Sequence, residues 1–152
     1  MFIRVITIGK LKHETFEKLA ADYLTQLSEW KVEVVELKED KSTEIKKKIK
    51  AEEKEIAKKL EKGYLNVILD VDGREFSSME FATFMGEIKD FENGKICFVI
   101  GGAYGLTEPF KKTFDMRISF GKMTLTHQFV RVILLEQIYR AWTILKGKNY
   151  HY

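Results

Sequence analysis

At 152 residues the chain is long enough for one domain with a real core and too short for two comfortable ones. A hydrophobic content of 45% argues against disorder and fibre, and no apolar run reaches the roughly 20 residues of a membrane span. The net charge of +3 permits an RNA partner but falls short of the dense basic footprint of a dedicated nucleic-acid binder.

"FIRVITI" (Phe2–Ile8) reads as a buried strand ended by Gly9, with no cleavable signal-peptide pattern after it. His13–Trp30 sets Phe16, Leu19, Ala20, Tyr23, Leu24 and Leu27 on one helical stripe. "VEVVEL" is a second strand. The lysine- and glutamate-rich stretch from about Ile45 to Leu60 is a second helix, whose charges suit a solvated face carrying i,i+4 pairs. Tyr64–Val71 is a third strand, closed by the turn pair Asp72–Gly73. Ser77 and Glu80 then form a capping box that opens a helix to about Phe91.

Strand "KICFVI" follows, with the single cysteine, Cys97, inside it; this residue forms no intrachain disulfide and suits core filling in a reducing cytoplasm. A glycine loop, a short helix from about Thr107 with Pro109 in its first turn, strand "MRISF" and a helix from Gln128 to about Leu145 complete the order. Strands joined by helices in this rhythm predict one α/β domain with a largely parallel sheet, its ligand beyond the carboxyl ends of the strands.

Two loops fall at such ends. Gly101-Gly102-Ala103-Tyr104-Gly105 does not fit the dinucleotide fingerprint, and Gly121-Lys122-Met123-Thr124 lacks the remaining residues of a phosphate-binding loop. The first loop taken alone is equally a tight strand-to-helix turn. The second, Ser119 to Gln128, carries Phe120, Met123 and Leu125, which suit an adenine and a thioether better than a polyphosphate. S-adenosylmethionine (SAM) has a nucleoside and a sulfonium but no phosphate.

His127 and Arg131 share a face at the start of the last helix. The positive helix terminus favours a neutral His127 able to accept a proton, and Arg131 suits an RNA phosphate or a carboxylate. A structural alternative has His127 capping the helix and Arg131 paired with Glu136 or Asp115. The helix itself is apolar on more than one face, with Phe129, Val132, Leu135, Tyr139 and Ile144 beside its main stripe, for which homodimerisation is the simplest explanation. The tail adds Asn149, Tyr150 and His151, with an exposed terminus as the alternative.

"LDVDGREFSS", "FVIGGAYGL", "ISFGKMTLTHQFVRVILLEQIYRAW" and the terminal "NYH", with Gly9, Lys10 and Lys12 near the start, resemble the RlmH (YbeA-like) family in order and spacing across essentially the whole chain. That family consists of SPOUT-class methyltransferases of bacterial ribosomal RNA. The resemblance implies a single SPOUT domain over residues 1–152, a C-terminal trefoil knot, a homodimer in the cytoplasm, and no metal. It implies transfer of a methyl group from SAM to N3 of a pseudouridine in helix 69 of 23S rRNA on the assembled 70S ribosome. By position, SAM contacts fall on Leu69, Gly101, Phe120, Gly121, Lys122, Met123, Thr124 and Leu125. Proton handling falls on His127 or His151, anion contact on Arg131 and base stacking on Tyr150, and one subunit's tail is expected to complete the pocket of the other. Two positions depart from the pattern: Thr126 stands where a proline is usual, and Tyr152 where a basic residue is. The alternatives are a SPOUT enzyme with another RNA target, a non-catalytic ribosome-binding module and a flavodoxin-like cofactor carrier.

Overall fold

The structure, a computed structural model, describes residues 1–27, 29–91, 93–148 and 150. In chain order it contains β1 (Phe2–Ile8), α1 (Glu14–Gln26), β2 (Lys31–Leu37), α2 (Ile45–Ala57), β3 (Leu65–Glu75), α3 (Ser78–Phe91), β4 (Lys95–Ile100), α4 (Glu108–Lys111), β5 (Met116–Ser119) and α5 (His127–Leu145). The strands form one five-stranded sheet in the order β2-β1-β4-β3-β5, and every pairing is parallel.

A parallel sheet covered on both faces needs strands apolar on both sides, which is why β4 reads as an unbroken hydrophobic run. Alternate residues part to opposite layers. Ile96, Phe98 and Ile100 join Ile3, Val5 and Val67 under Phe81 and Met85 of α3 and Leu134, Ile138 and Trp142 of α5. Cys97 and Val99 face the other way, with Ile6, Ile8 and Ile68, against Ile56 of α2 and Phe114. Burial pushes the Cys97 thiol up to about 12, so the side chain acts as a small hydrophobe.

The capping box forms as expected: Ser77 N–H donates to Glu80 Oε2 at 2.7 Å and Glu80 N–H to Ser77 Oγ at 3.2 Å. Elsewhere the structure corrects the sequence. Helix α1 stops at Gln26, not Trp30, because the chain turns at Leu27 and buries the Trp30 indole in the core on the way into β2. The ion pairs on α2 are i,i+3 (Glu44–Lys47, Glu55–Lys58), and its inner face buries Glu52 beside Ile56.

Strand β3 does not end at Asp72–Gly73. Leu69 and Arg74 both pair with Ile118, so residues 70–73 bulge from the ladder and the strand resumes to Glu75. Gly73 lies so close to β5 that a Cβ there would sit 2.5 Å from the Ile118 carbonyl carbon and 2.7 Å from its nitrogen. Any side chain would push the two backbones apart.

Helix α5 lies between α1 and α3 on the sheet, and this arrangement accounts for most of its all-round apolar character. Val132 is buried within the chain, and Leu135 packs with Leu11 and Ala20. Phe129 stays 47% exposed. No helix among the described residues is long and apolar enough to cross a membrane.

Candidate functional site

A cavity of about 700 Å³ opens at the β3 bulge and beyond the carboxyl ends of β4 and β5. Its walls are Leu69 with Asp70 and Val71 of the bulge, residues 100–103 with Gly105 and Leu106 from the glycine loop, and residues 119–121 and 123–128 from the loop into α5. His13 and Phe16 close one side. The volume is that of a small-molecule site, in the place where parallel sheets hold ligands.

Short local contacts set each wall. Ser119 Oγ accepts the Gly121 N–H and donates to the Gly121 carbonyl, both at 3.0 Å, so the chain turns sharply off β5. Thr126 Oγ1 accepts the Phe129 N–H at 3.3 Å and is therefore the N-cap of α5. The hydroxyl supplies an acceptor that a proline there could not, and His127 becomes the first residue of the helix, not its cap. On the glycine loop, Gly105 N–H donates to the Gly102 carbonyl at 3.0 Å, and the Thr107 N–H to Glu53 Oε1 of α2 at 2.6 Å.

Seven of the eight expected cofactor residues (Leu69, Gly101, Phe120, Gly121, Met123, Thr124 and Leu125) line the cavity; Lys122 is exposed outside it. Asp70 and Lys111 were missed from the sequence. Lys111 Nζ lies 2.9 Å from Asp70 Oδ1, and Arg117 approaches Asp70 Oδ2 at 3.4 Å. Burial lowers the affinity of the Lys111 ammonium for its proton, but Asp70 and Glu108 more than offset this, and its pKa is raised. The lysine at the wall is thus a fixed, neutralised cation and leaves no phosphate fork. An acid directly after an apolar run at a strand's carboxyl end was the available signal for Asp70; Lys111 had none, because it reaches the site only through α4.

His127 lines the cavity, and its Nε2 is buried beside Gly9 with no hydrogen-bond partner among the described residues. Desolvation pulls its pKa below the usual imidazole range against the attraction of Glu39, with Lys12 acting in the same direction as burial. A neutral ring with a free nitrogen can accept a proton from a bound ligand. Arg131 is buried, and its Nη1 is 2.6 Å from Glu36 Oε1, a partner on β2 and neither of the two expected. In this arrangement it braces α5 against the sheet edge and does not line the cavity.

Tyr150 also lies elsewhere: its ring packs edge-on to Tyr139 at 4.7 Å and under the Arg140 guanidinium at 5.0 Å. Tyr139, on which the Tyr150 ring packs, is twelve residues beyond His127, about 18 Å along α5. In this structure one chain does not bring Tyr150 to the cavity that His127 lines. His151, Asn149 and Tyr152 lie outside the described residues. Among the described residues no group of three His, Cys, Asp or Glu side chains is disposed to hold a metal ion.

Residues 1–151 match the family described as "Predicted SPOUT methyltransferase". A ribosomal RNA large subunit methyltransferase H of Caldicellulosiruptor saccharolyticus is 39% identical over 153 residues, spanning 98% of this chain and 99% of its own. One from Listeria monocytogenes is 39% identical over 159 residues, spanning 99% of each. Among solved structures, the SpoU methyltransferase AviRb of Streptomyces viridochromogenes in complex with AdoMet aligns with 97% of this chain and 59% of its own, at 11% identity and a TM-score of 0.48.

Proposed function

The chain belongs to the SPOUT methyltransferases, and on that premise we propose that it methylates large-subunit ribosomal RNA with SAM as methyl donor. The finer reading is N3 of a pseudouridine in helix 69 of 23S rRNA on the assembled 70S ribosome, by a cytoplasmic homodimer with a knotted C-terminal part. End-to-end identity to methyltransferase H proteins supports the substrate class.

The observation that carries the SAM reading is the cavity itself: apolar walls from Leu69, Phe120, Met123 and Leu125, backbone from two loops, and a wall lysine already neutralised by Asp70. A nucleoside with a thioether fits such a donor set; a polyphosphate does not. Bound SAM would supply an electrophilic methyl group on a positive sulfur.

The chain's own part is positioning and one proton. Residues 100–103 and 119–125 would fix the ligand through backbone groups. The imide N3–H of the target must be lost as nitrogen attacks, and the His127 imidazole, neutral and lining the cavity, is the acceptor we assign, with His151 as the alternative relay. Arg131, held by Glu36, keeps the first turns of α5 in place. In the proposed dimer Tyr150, whose ring packs on Tyr139 outside its own chain's cavity, and His151 act in the pocket of the partner subunit.

The test is methyl transfer from labelled SAM to 70S ribosomes from a strain lacking the modification, with modified ribosomes as control. Label that enters only the unmodified ribosomes and maps to helix 69 is the expected result. Equal labelling of both, or label at another nucleotide, refutes the helix 69 assignment.

A further inference from the structure

The helix that looked least informative in the sequence, α2, reaches the cavity wall from behind. Three of its residues meet the glycine loop: Lys48 Nζ lies 5.6 Å from the centre of the Tyr104 ring, Glu53 accepts the Thr107 N–H, and Glu52 lies under Gly102. Glu52 is the unusual one. It is 1% exposed, and both carboxyl oxygens are buried with no hydrogen-bond partner among the described residues. A Cβ on Gly102 would sit 2.5 Å from Glu52 Oε2. The glutamate carboxyl therefore fills the space that a side chain at position 102 would take.

We propose that Glu52 is a positioning residue for methyl-donor binding: its side chain, packed under Gly102, supports the glycine loop from behind and sets the Gly101–Gly102 backbone against the ligand. This rests on the assignment of that loop to SAM. A buried carboxylate supported only by the Asp40 backbone is costly, and the neutral acid is less so. The charged groups around it do not change that preference. Lys48 on α2 is the nearest cation but lies over Tyr104, while Glu39 and Asp40 in the β2–α2 connection repel a charge on Glu52. Burial pushes its carboxyl up, opposed by the Asp40 backbone and by Lys48.

The experiment is calorimetric titration of SAM into the full-length protein at neutral pH, for wild type, Glu52→Gln and Glu52→Ala. Gln keeps the length and planar head of the glutamate side chain and fills the same space under Gly102. It is expected to bind SAM within about threefold of wild type, whereas Glu52→Ala, which empties that space, is expected to bind about tenfold or more weakly. An Ala variant that binds like wild type, or a Gln variant as weak as Ala, overturns the proposal. Wild type that binds no SAM at all removes the cofactor assignment, and this proposal with it.

Discussion

Replacing Gly73 by alanine tests the contact that shapes one wall of the cavity. The added Cβ would lie 2.5 to 2.8 Å from three backbone atoms of Arg117 and Ile118, where ordinary contact begins at 3.4 Å. Backbone paired in a ladder cannot swing aside as a side chain does, so β3 and β5 must part by about 1 Å. Overpacking of this kind costs about 1–3 kcal/mol. The pairs Arg74–Ile118 and Glu75–Ser119 loosen with it, at about 1 kcal/mol per hydrogen bond. Restricting the unfolded chain returns about 0.4–1 kcal/mol. The net loss is about 2–4 kcal/mol, or about 5–15 °C in Tm for a domain of this size.

Because Leu69 before the bulge and Val71 within it line the cavity, SAM affinity should fall as well. Gly63→Ala is the control: its φ of +84° is unfavourable for alanine but its surroundings are empty, so it should cost only about 1–2 kcal/mol and leave SAM binding unchanged. Thermal unfolding and SAM calorimetry on both variants decide the matter. A Gly73→Ala protein that melts with wild type and binds SAM normally would mean that the two strands do not approach as described.

Glu36→Gln should destabilise the fold by about 1–3 kcal/mol, measured by urea titration, since it strips the buried Arg131 guanidinium of its carboxylate; the figure is held down because Glu36 is 30% exposed. Methyl transfer should be flat through neutral pH and fall below about pH 6.5, as the His127 imidazole gains a proton. Its lowered pKa also predicts that stability falls over the same window: the folded state resists a proton that the unfolded state takes up, and the deficit is complete below the folded value. His127→Ala at full rate with normal SAM binding would exclude it as the acceptor. Cys97 should ignore a thiol reagent at neutral pH and react with one equivalent after unfolding, because it is 1% exposed and its thiol is pushed up to about 12; fast labelling of folded protein would contradict its place in the core.

What the sequence determined by itself is local. Hydrophobic periodicity set β1 and β4 at their observed bounds, the Ser77–Glu80 spacing set the start of α3, and the two glycine-bearing loops fell at strand carboxyl ends because a parallel α/β chain has nowhere else to put them. Seven of the residues expected to contact a cofactor line the cavity for the same reason: they lie at the β3 bulge or in the loops that follow β4 and β5. Tertiary structure decided the rest. Asp72–Gly73 carries a turn signal, and only the approach of β5 converts it into a bulge within a longer strand. The partner of Arg131 is Glu36, far away in sequence and chosen by how α5 crosses the sheet. Glu52 looked like one more charge on a solvated helix, since nothing local reveals that its turn of α2 faces inward onto Gly102. Periodicity reports which face of an element is apolar, but which charged residue that face carries into the core depends on packing partners many residues away.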